Sequence, residues 1–293
     1  MTSRKYPLFG YIGIATIFGA ETLLFAGNQV VGHWFTPIVW TGYIFFIDAW
    51  LYELTGRSLL MNDRLEFLVV AIVSIASWWL FEFYNAPRFW KSNLELWWHY
   101  HNLEPNLWLR RVGYDWAFAT IFLALFETAE LLAVTIFARV RVMSPIKFSK
   151  LWLVLVACVG GAAAAIPLIA PSNWLAPLVW LSFIFIIDPI NALRGWPSIT
   201  GDLASGDWRR LLSLLASGLV CGVLWEFWNY WALSKWTYTV PFFGNAKIFE
   251  MPVLGYLGFP PFAVECWVIY IFLRSLLQPS ERPMGSSEVF LRG

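Results

Sequence analysis

Apolar residues run for about twenty positions at a time along this chain, with polar residues gathered between the runs and no strict alternation inside them. Runs of this kind predict helices that cross a hydrocarbon core of roughly 30 Å at about 1.5 Å per residue, and they exclude outer-membrane strands. Eight spans are expected, over 8–26, 34–53, 65–86, 112–137, 150–170, 174–191, 209–233 and 252–277. The first starts behind a short basic stretch, as a signal peptide does. Glu21 interrupts its apolar run and no small-x-small cleavage site follows, so it is read as a retained span, with a cleaved signal as the alternative.

Composition agrees with the pattern. The chain is 59% hydrophobic and 13% charged, against roughly 25% charged for an ordinary soluble domain. It therefore reads as an all-α integral membrane protein. A net charge of +1 gives no bulk attraction to nucleic acid. Cys158, Cys221 and Cys266 all fall inside apolar runs without CxxC or CxxCH spacing, which argues against a disulfide framework, a thiolate metal site or attached haem. The basic residues are uneven between the two sets of loops, with Arg88, Lys91, Arg110, Arg111, Lys235 and Lys247 as the minority set. The positive-inside rule then places both termini in the cytoplasm, as for a bacterial or archaeal inner-membrane protein.

The polar punctuation repeats. "HWFTPIVWTGYIFFID" at 33–48 matches "NWLAPLVWLSFIFIID" at 173–188, pairing Trp34 with Trp174, Pro37 with Pro177, Trp40 with Trp180 and Asp48 with Asp188. "FEFYN" at 81–85 then matches "WEFWN" at 225–229, "WHY" at 98–100 echoes "WTY" at 236–238, and Gly113-Tyr114 echoes Gly255-Tyr256. The expected organisation is a first repeat of four helices over 1–140, a second over 141–278 and a cytoplasmic tail over 279–293. Four is even, so the repeats are parallel, related by a pseudo-two-fold along the membrane normal.

The duplication singles out two acids. Glu82 and Asn85, and likewise Glu226 and Asn229, are three residues apart and share a helical face. An ionisable group at this depth costs on the order of 2.5–3.5 kcal/mol on insertion scales, so it faces the bundle interior or a cavity. Such a carboxyl, with few basic neighbours, can serve as a neutral proton donor; alternatively each Glu–Asn pair is interhelical hydrogen-bond glue. Glu21, Glu127, Glu130 and Glu265 are further intramembrane acids, with Glu265 expected in the inner leaflet, while Asp48 and Asp188 read as helix-end acids. "LRRVGY" at 109–114 and "FEMPVLGYLGFPPF" at 249–262 read as re-entrant or interfacial segments, because Pro and Gly interrupt them.

Twenty tryptophans exceed what two interfacial belts need. Trp34, Trp40, Trp174 and Trp180 read as belt residues. Trp225, Trp228, Trp236 and Tyr238 surround Glu226 and could line a site for an apolar or π-rich ligand or steady a cation, with Trp98 and Tyr100 as their counterparts in the first repeat. His99 and His101, flanked by Glu95 and Glu104, have a spacing that can bind metal. The second repeat lacks both histidines, and no metal site is assigned. His33 reads as interfacial.

Glu226, some ten residues, Trp236-Thr237-Tyr238, Gly244 and then a helix start containing Pro and Glu form an order that resembles the membrane-bound lycopene-cyclase-type domains of carotenoid synthesis. The resemblance covers about 40 residues of the second repeat and more faintly the first. It departs at "FEMP" (249–252) and "PFAVE" (261–265), where those domains carry adjacent acids after a proline. It implies an isoprenoid-modifying enzyme working on a polyene without a cofactor. Glu226 or Glu82 would protonate a double bond, Asn229 and Asn85 would orient those carboxyls, the rings would stabilise the cation, and Glu250 and Glu265 would return the proton. Two other expectations stand beside it. One is a non-catalytic membrane subunit that binds pigment, quinone or lipid within a larger complex; the other is a proton-coupled carrier.

Overall fold

The computed structural model describes residues 5–86, 96–140, 143–239, 241, 244 and 246–277. The expected tail and three charged residues named above (Arg88, Lys91 and Glu95) lie outside the described residues.

Long helices fall where the apolar runs are. They are α1 (Leu8–Phe25), α3 (Phe35–Thr55), α5 (Arg64–Asn85), α6 (Leu107–Val134), α7 (Lys150–Ile169), α8 (Ala176–Leu193), α10 (Arg209–Trp231) and α11 (Phe259–Leu277). Among the described residues, seven segments are long and apolar enough to cross a membrane. The remaining long helix, α3, has 21 residues, and its tryptophans, tyrosines, Asp48 and Glu53 make it less apolar. Short helices interrupt the turns: α2 (Gln29–His33), α4 (Leu59–Asn62) and α9 (Ile199–Ser205). Two small ribbons complete the fold, one of β1 (Trp98–His101) with β2 (Lys235–Tyr238), the other of β3 (Lys247–Ile248) with β4 (Met251–Pro252).

Helix boundaries follow local chemistry. Asp63 caps α5 through the Glu66 amide, Asn106 caps α6 through Trp108 and Leu109, and Ser149 caps α7 through Trp152. The Asn106 cap corrects one expectation: 109–114 is the regular first part of α6 and not a re-entrant break. The other suspected break is present, since 249–262 runs through a turn, β4 and a 3-10 helix at Val253–Gly258 before α11 begins. That late start puts Glu265 in the first half of α11, toward the β1–β2 end and not the opposite end.

α1 lies against α3, and α7 against α8. Small residues set the first contact: a Cβ on Gly13 would collide with the Gly42 carbonyl oxygen and stand 2.8 Å from the Phe46 amide nitrogen. Gly160 of α7 has the corresponding contact, where a Cβ would stand 2.8 Å from the Ile186 nitrogen. Gly13→Leu is therefore expected to force α1 off α3 and cost about 1–3 kcal/mol or more. Thermal unfolding in detergent measures this, and an unchanged midpoint would contradict the packing.

At the end of the bundle away from β1–β2, Asp48 and Asp188 reach across the following turn. Asp48 Oδ2 accepts from the Leu60 amide at 3.0 Å, and Asp188 accepts from the Ile199 and Thr200 amides at 2.7 and 2.9 Å. Each acid thus satisfies amides in the first turn of a short helix, α4 or α9. At the same end Glu66 and Arg274 form a buried pair between α5 and α11. Arg274 Nη2 lies 2.8 Å and Nε 2.9 Å from Glu66 Oε2, and the Tyr270 hydroxyl donates to Glu66 Oε1.

Candidate functional site

The β1–β2 ribbon covers one end of the helices. Its antiparallel register pairs Trp98 with Tyr238, His99 with Thr237, Tyr100 with Trp236 and His101 with Lys235. Alternation along a strand sends neighbouring side chains to opposite faces. Trp98, Tyr100, Trp236 and Tyr238 accordingly all line a cavity beneath the ribbon, of about 550 Å³. On the other face His99 Nε2 lies 2.7 Å from Thr239 Oγ1, and His101 Nε2 lies 2.8 Å from Thr237 Oγ1.

The two asparagines position the strands. Asn85 Nδ2 donates to the Trp98 carbonyl at 2.8 Å, and its Oδ1 accepts from the Trp97 amide at 2.9 Å. Asn229 does the same in the other half, donating to the Trp236 carbonyl at 2.8 Å and accepting from the Trp236 amide at 2.9 Å. These amides were expected to orient Glu82 and Glu226. They bond instead to the backbone, and it is the strands' rings that reach the carboxyls. Asn229→Ala would leave the part-buried Trp236 backbone groups without these partners, an expected cost of about 1 kcal/mol. The same change should expose 232–238 to protease. A ribbon as resistant as the unmodified one would show that Asn229 does not hold it.

The carboxyls differ. Glu82 Oε1 accepts from Trp78 Nε1 at 3.0 Å, Trp98 Nε1 at 3.0 Å and the Tyr100 hydroxyl at 2.5 Å. Glu226, fully buried, accepts from the Tyr238 hydroxyl at 2.7 Å, which itself accepts from Trp236 Nε1 at 2.6 Å; among the described residues Glu226 Oε2 has no partner. Part of the difference comes from α10 carrying Gly222 four residues before Glu226, where α5 carries Trp78 before Glu82. Burial first, and then the adjacent Glu82 carboxyl, raise Tyr100 well above the usual phenol value; burial and Glu226 do the same to Tyr238. Both hydroxyls thus stay protonated and able to donate.

Neither Glu82 nor Glu226 is part of the cavity wall; the tyrosines that bond to them are. Trp225 lines the wall, its ring 5.2 Å from Trp40. Trp228 stands behind it, 5.0 Å from Trp40, and donates to Glu21 Oε1 at 3.0 Å, which gives the acid of α1 a partner. Glu250 pairs with Lys235 at 3.2 Å beside the ribbon. Glu265 is fully buried, accepts from the Phe183 amide at 3.3 Å and is not in the wall.

Several wall residues were not among the expected ligand contacts. Trp40 and Trp180, read as belt residues, face inward: Trp40 is fully buried, and both line the cavity with Trp78, Tyr114, Phe118 and Phe262. Trp174 is 57% exposed, as a belt residue should be. Trp40 and Trp180 sit at equivalent places in the duplicated segments, and that was the signal that could have marked them. His33, also in the wall, has Nδ1 3.0 Å from both the Asn102 carbonyl and Ser234 Oγ.

Fold and site together define an α-helical membrane protein with a ligand-sized, ring-lined cavity under a two-stranded cover. No family model, curated protein or solved structure matches the chain.

Proposed function

We propose that this is an integral-membrane enzyme that modifies an isoprenoid polyene by acid-initiated carbocation chemistry. The observation carrying this reading is the cavity wall, rich in aromatic rings, four of which hydrogen-bond to a carboxyl behind them: Trp78, Trp98 and Tyr100 to half-buried Glu82, and Tyr238 to buried Glu226. Aromatic faces attract cations by roughly 0.5–2 kcal/mol each, depending on exposure. A carboxyl behind the ring adds a favourable field at the same place.

In this scheme a protonated Glu226 donates to the Tyr238 oxygen, the reverse of the hydrogen bond described above, while the Tyr238 hydroxyl passes its own proton to a double-bond carbon. A C–H bond forms, and the neighbouring carbon becomes cationic. A second double bond of the same molecule attacks that carbon, and loss of a proton from the resulting cation restores a double bond and the acid. Glu82, with three donors on one oxygen, stays an acceptor and stabilises positive charge from the other side.

The same reading takes the chain as two parallel four-helix repeats. It is supported by matched contacts at equivalent positions: Asn85 and Asn229 on their strands, Asp48 and Asp188 on their turns, α1 on α3 and α7 on α8. A two-fold normal to the ribbon carries Trp98 onto Trp236 and Tyr100 onto Tyr238, and the register has the pairing such an axis requires.

The test is to purify the protein, identify by mass spectrometry any lipid-like molecule it retains, and incubate it with polyene substrates. Retention of an isoprenoid and its conversion to a product of equal mass support the reading; neither retention nor conversion ends it. A second reading, a non-catalytic subunit that binds pigment, quinone or lipid, is favoured by the absence of Glu82 and Glu226 from the wall. Retention of a ligand without conversion would select it.

A further inference from the structure

The cavity is apolar over most of its wall but includes a few charged residues. Its ionisable wall residues besides the tyrosines and His33 are Glu104, Arg110 and Lys235. Two of the three are occupied. Lys235 pairs with Glu250 at 3.2 Å and donates to the Tyr230 carbonyl at 2.9 Å. Glu104 Oε1 accepts from the Asn106 amide at 3.1 Å. Arg110, in the first turn of α6, spends only Nε, which donates to the Glu104 carbonyl at 2.7 Å. Among the described residues its two terminal nitrogens have no hydrogen bond, and no carboxylate lies within ion-pair distance of them.

A guanidinium offers five donors in a fixed fork suited to anionic or carbonyl oxygens. Half-buried in the wall of an aromatic cavity and fixed by its Nε bond, Arg110 keeps the rest of that fork available. A ligand that is hydrocarbon throughout would cover those donors without replacing the water on them, which costs binding energy.

Volume adds a second constraint. About 550 Å³, compared with the roughly 150 Å³ apolar cavity that holds one six-carbon benzene ring, accommodates about twenty-two heavy atoms. A forty-carbon polyene therefore does not fit inside as a whole, whereas a molecule of about twenty carbons does.

From these two observations we infer that the cavity takes an amphipathic polyene of about twenty carbons ending in an anionic or carbonyl oxygen, with that oxygen on Arg110 and the chain among the tryptophan rings. This rests on the reading of the cavity as an isoprenoid site and narrows it. The ligand class becomes a short polyene acid or aldehyde, in preference to a forty-carbon hydrocarbon.

The experiment is a titration of the purified protein in detergent, following quenching of tryptophan fluorescence, with retinoic acid, retinol, a saturated phospholipid and lycopene as probes. The expected order has retinoic acid tightest. Arg110→Gln should weaken retinoic acid by about tenfold or more, the scale of one charge-assisted hydrogen bond. It should leave retinol within about threefold. Arg110→Lys should recover part of the loss, because a cation without the fork remains.

Equal weakening of acid and alcohol, or no change in either, overturns the assignment of Arg110 while leaving the cavity reading in place. Lycopene binding more tightly than the acid overturns the size argument alone. Phospholipid binding best of all replaces the isoprenoid with a bilayer lipid and overturns the ligand class. Failure of every probe to quench overturns the cavity reading itself and this inference with it.

Discussion

Arg274→Met is expected to destabilise the protein by about 3–5 kcal/mol, the largest stability effect of any change considered. The substitution removes one member of a buried pair and leaves the other charged group without its countercharge in a medium that solvates it poorly. Glu66 would keep the Tyr270 hydroxyl, but it would lose the two-nitrogen contact from Arg274 at 2.8 and 2.9 Å. Replacing both, Glu66→Leu with Arg274→Met, should recover most of the loss, because packed apolar side chains of similar volume often match or exceed a buried ion pair. Unfolding in mixed micelles, followed by circular dichroism, gives both numbers. If the single substitution is as mild as the double, the pair does not join α5 to α11 as described.

The second large effect concerns chemistry. Glu226→Gln keeps an oxygen that can accept from Tyr238 but removes the transferable proton. Under the proposed scheme polyene conversion should fall by about 10²–10⁴-fold, the range that general acids contribute. Ligand binding, followed by tryptophan quenching, should persist, because Glu226 is not part of the wall. Glu82→Gln should cost less in rate, since its oxygen already accepts three hydrogen bonds and acts by charge alone. Full activity in Glu226→Gln would remove the proton-donor role and leave the binding reading as the better one.

Much of the helical layout was legible in the sequence, for a simple reason. A span must satisfy its backbone internally and present apolar side chains along its whole length, and both demands are local. Expected and observed helices agree to within a few residues at most ends. The exceptions are α6, which starts five residues before its expected 112, and α11, which starts seven after its expected 252. Both involve caps or breaks set by neighbouring chain: Asn106 at one and the 3-10 turn before Phe259 at the other.

The site was legible only in part. Glu226, Asn229, Trp236 and Tyr238 were picked out because they recur, and all four are joined by hydrogen bonds through one strand. Their division of labour was not readable, since spacing of three puts an amide beside a carboxyl on a helix without saying that each bonds to the strand instead. Trp40 had the same difficulty: an aromatic near a helix end fits a membrane belt as well as a cavity wall, and only packing against Trp225 and Trp228 distinguishes them. The Glu66–Arg274 pair was invisible because its members lie 208 positions apart.

The ribbon reaches beyond the cavity it covers. Each of its two inward-facing rungs holds one tryptophan and one tyrosine, so exchanging the strands gives the same arrangement back. Two separate copies of a half-length chain, each supplying a single strand, would meet in that register and close the same space between them. On this view neither half is self-sufficient: one strand has no hydrogen-bond partner and covers half an opening. Under the two-repeat reading, one polypeptide replaces a meeting that would depend on concentration with one that is always made, and lets the two sides differ, as Gly222 and Trp78 do.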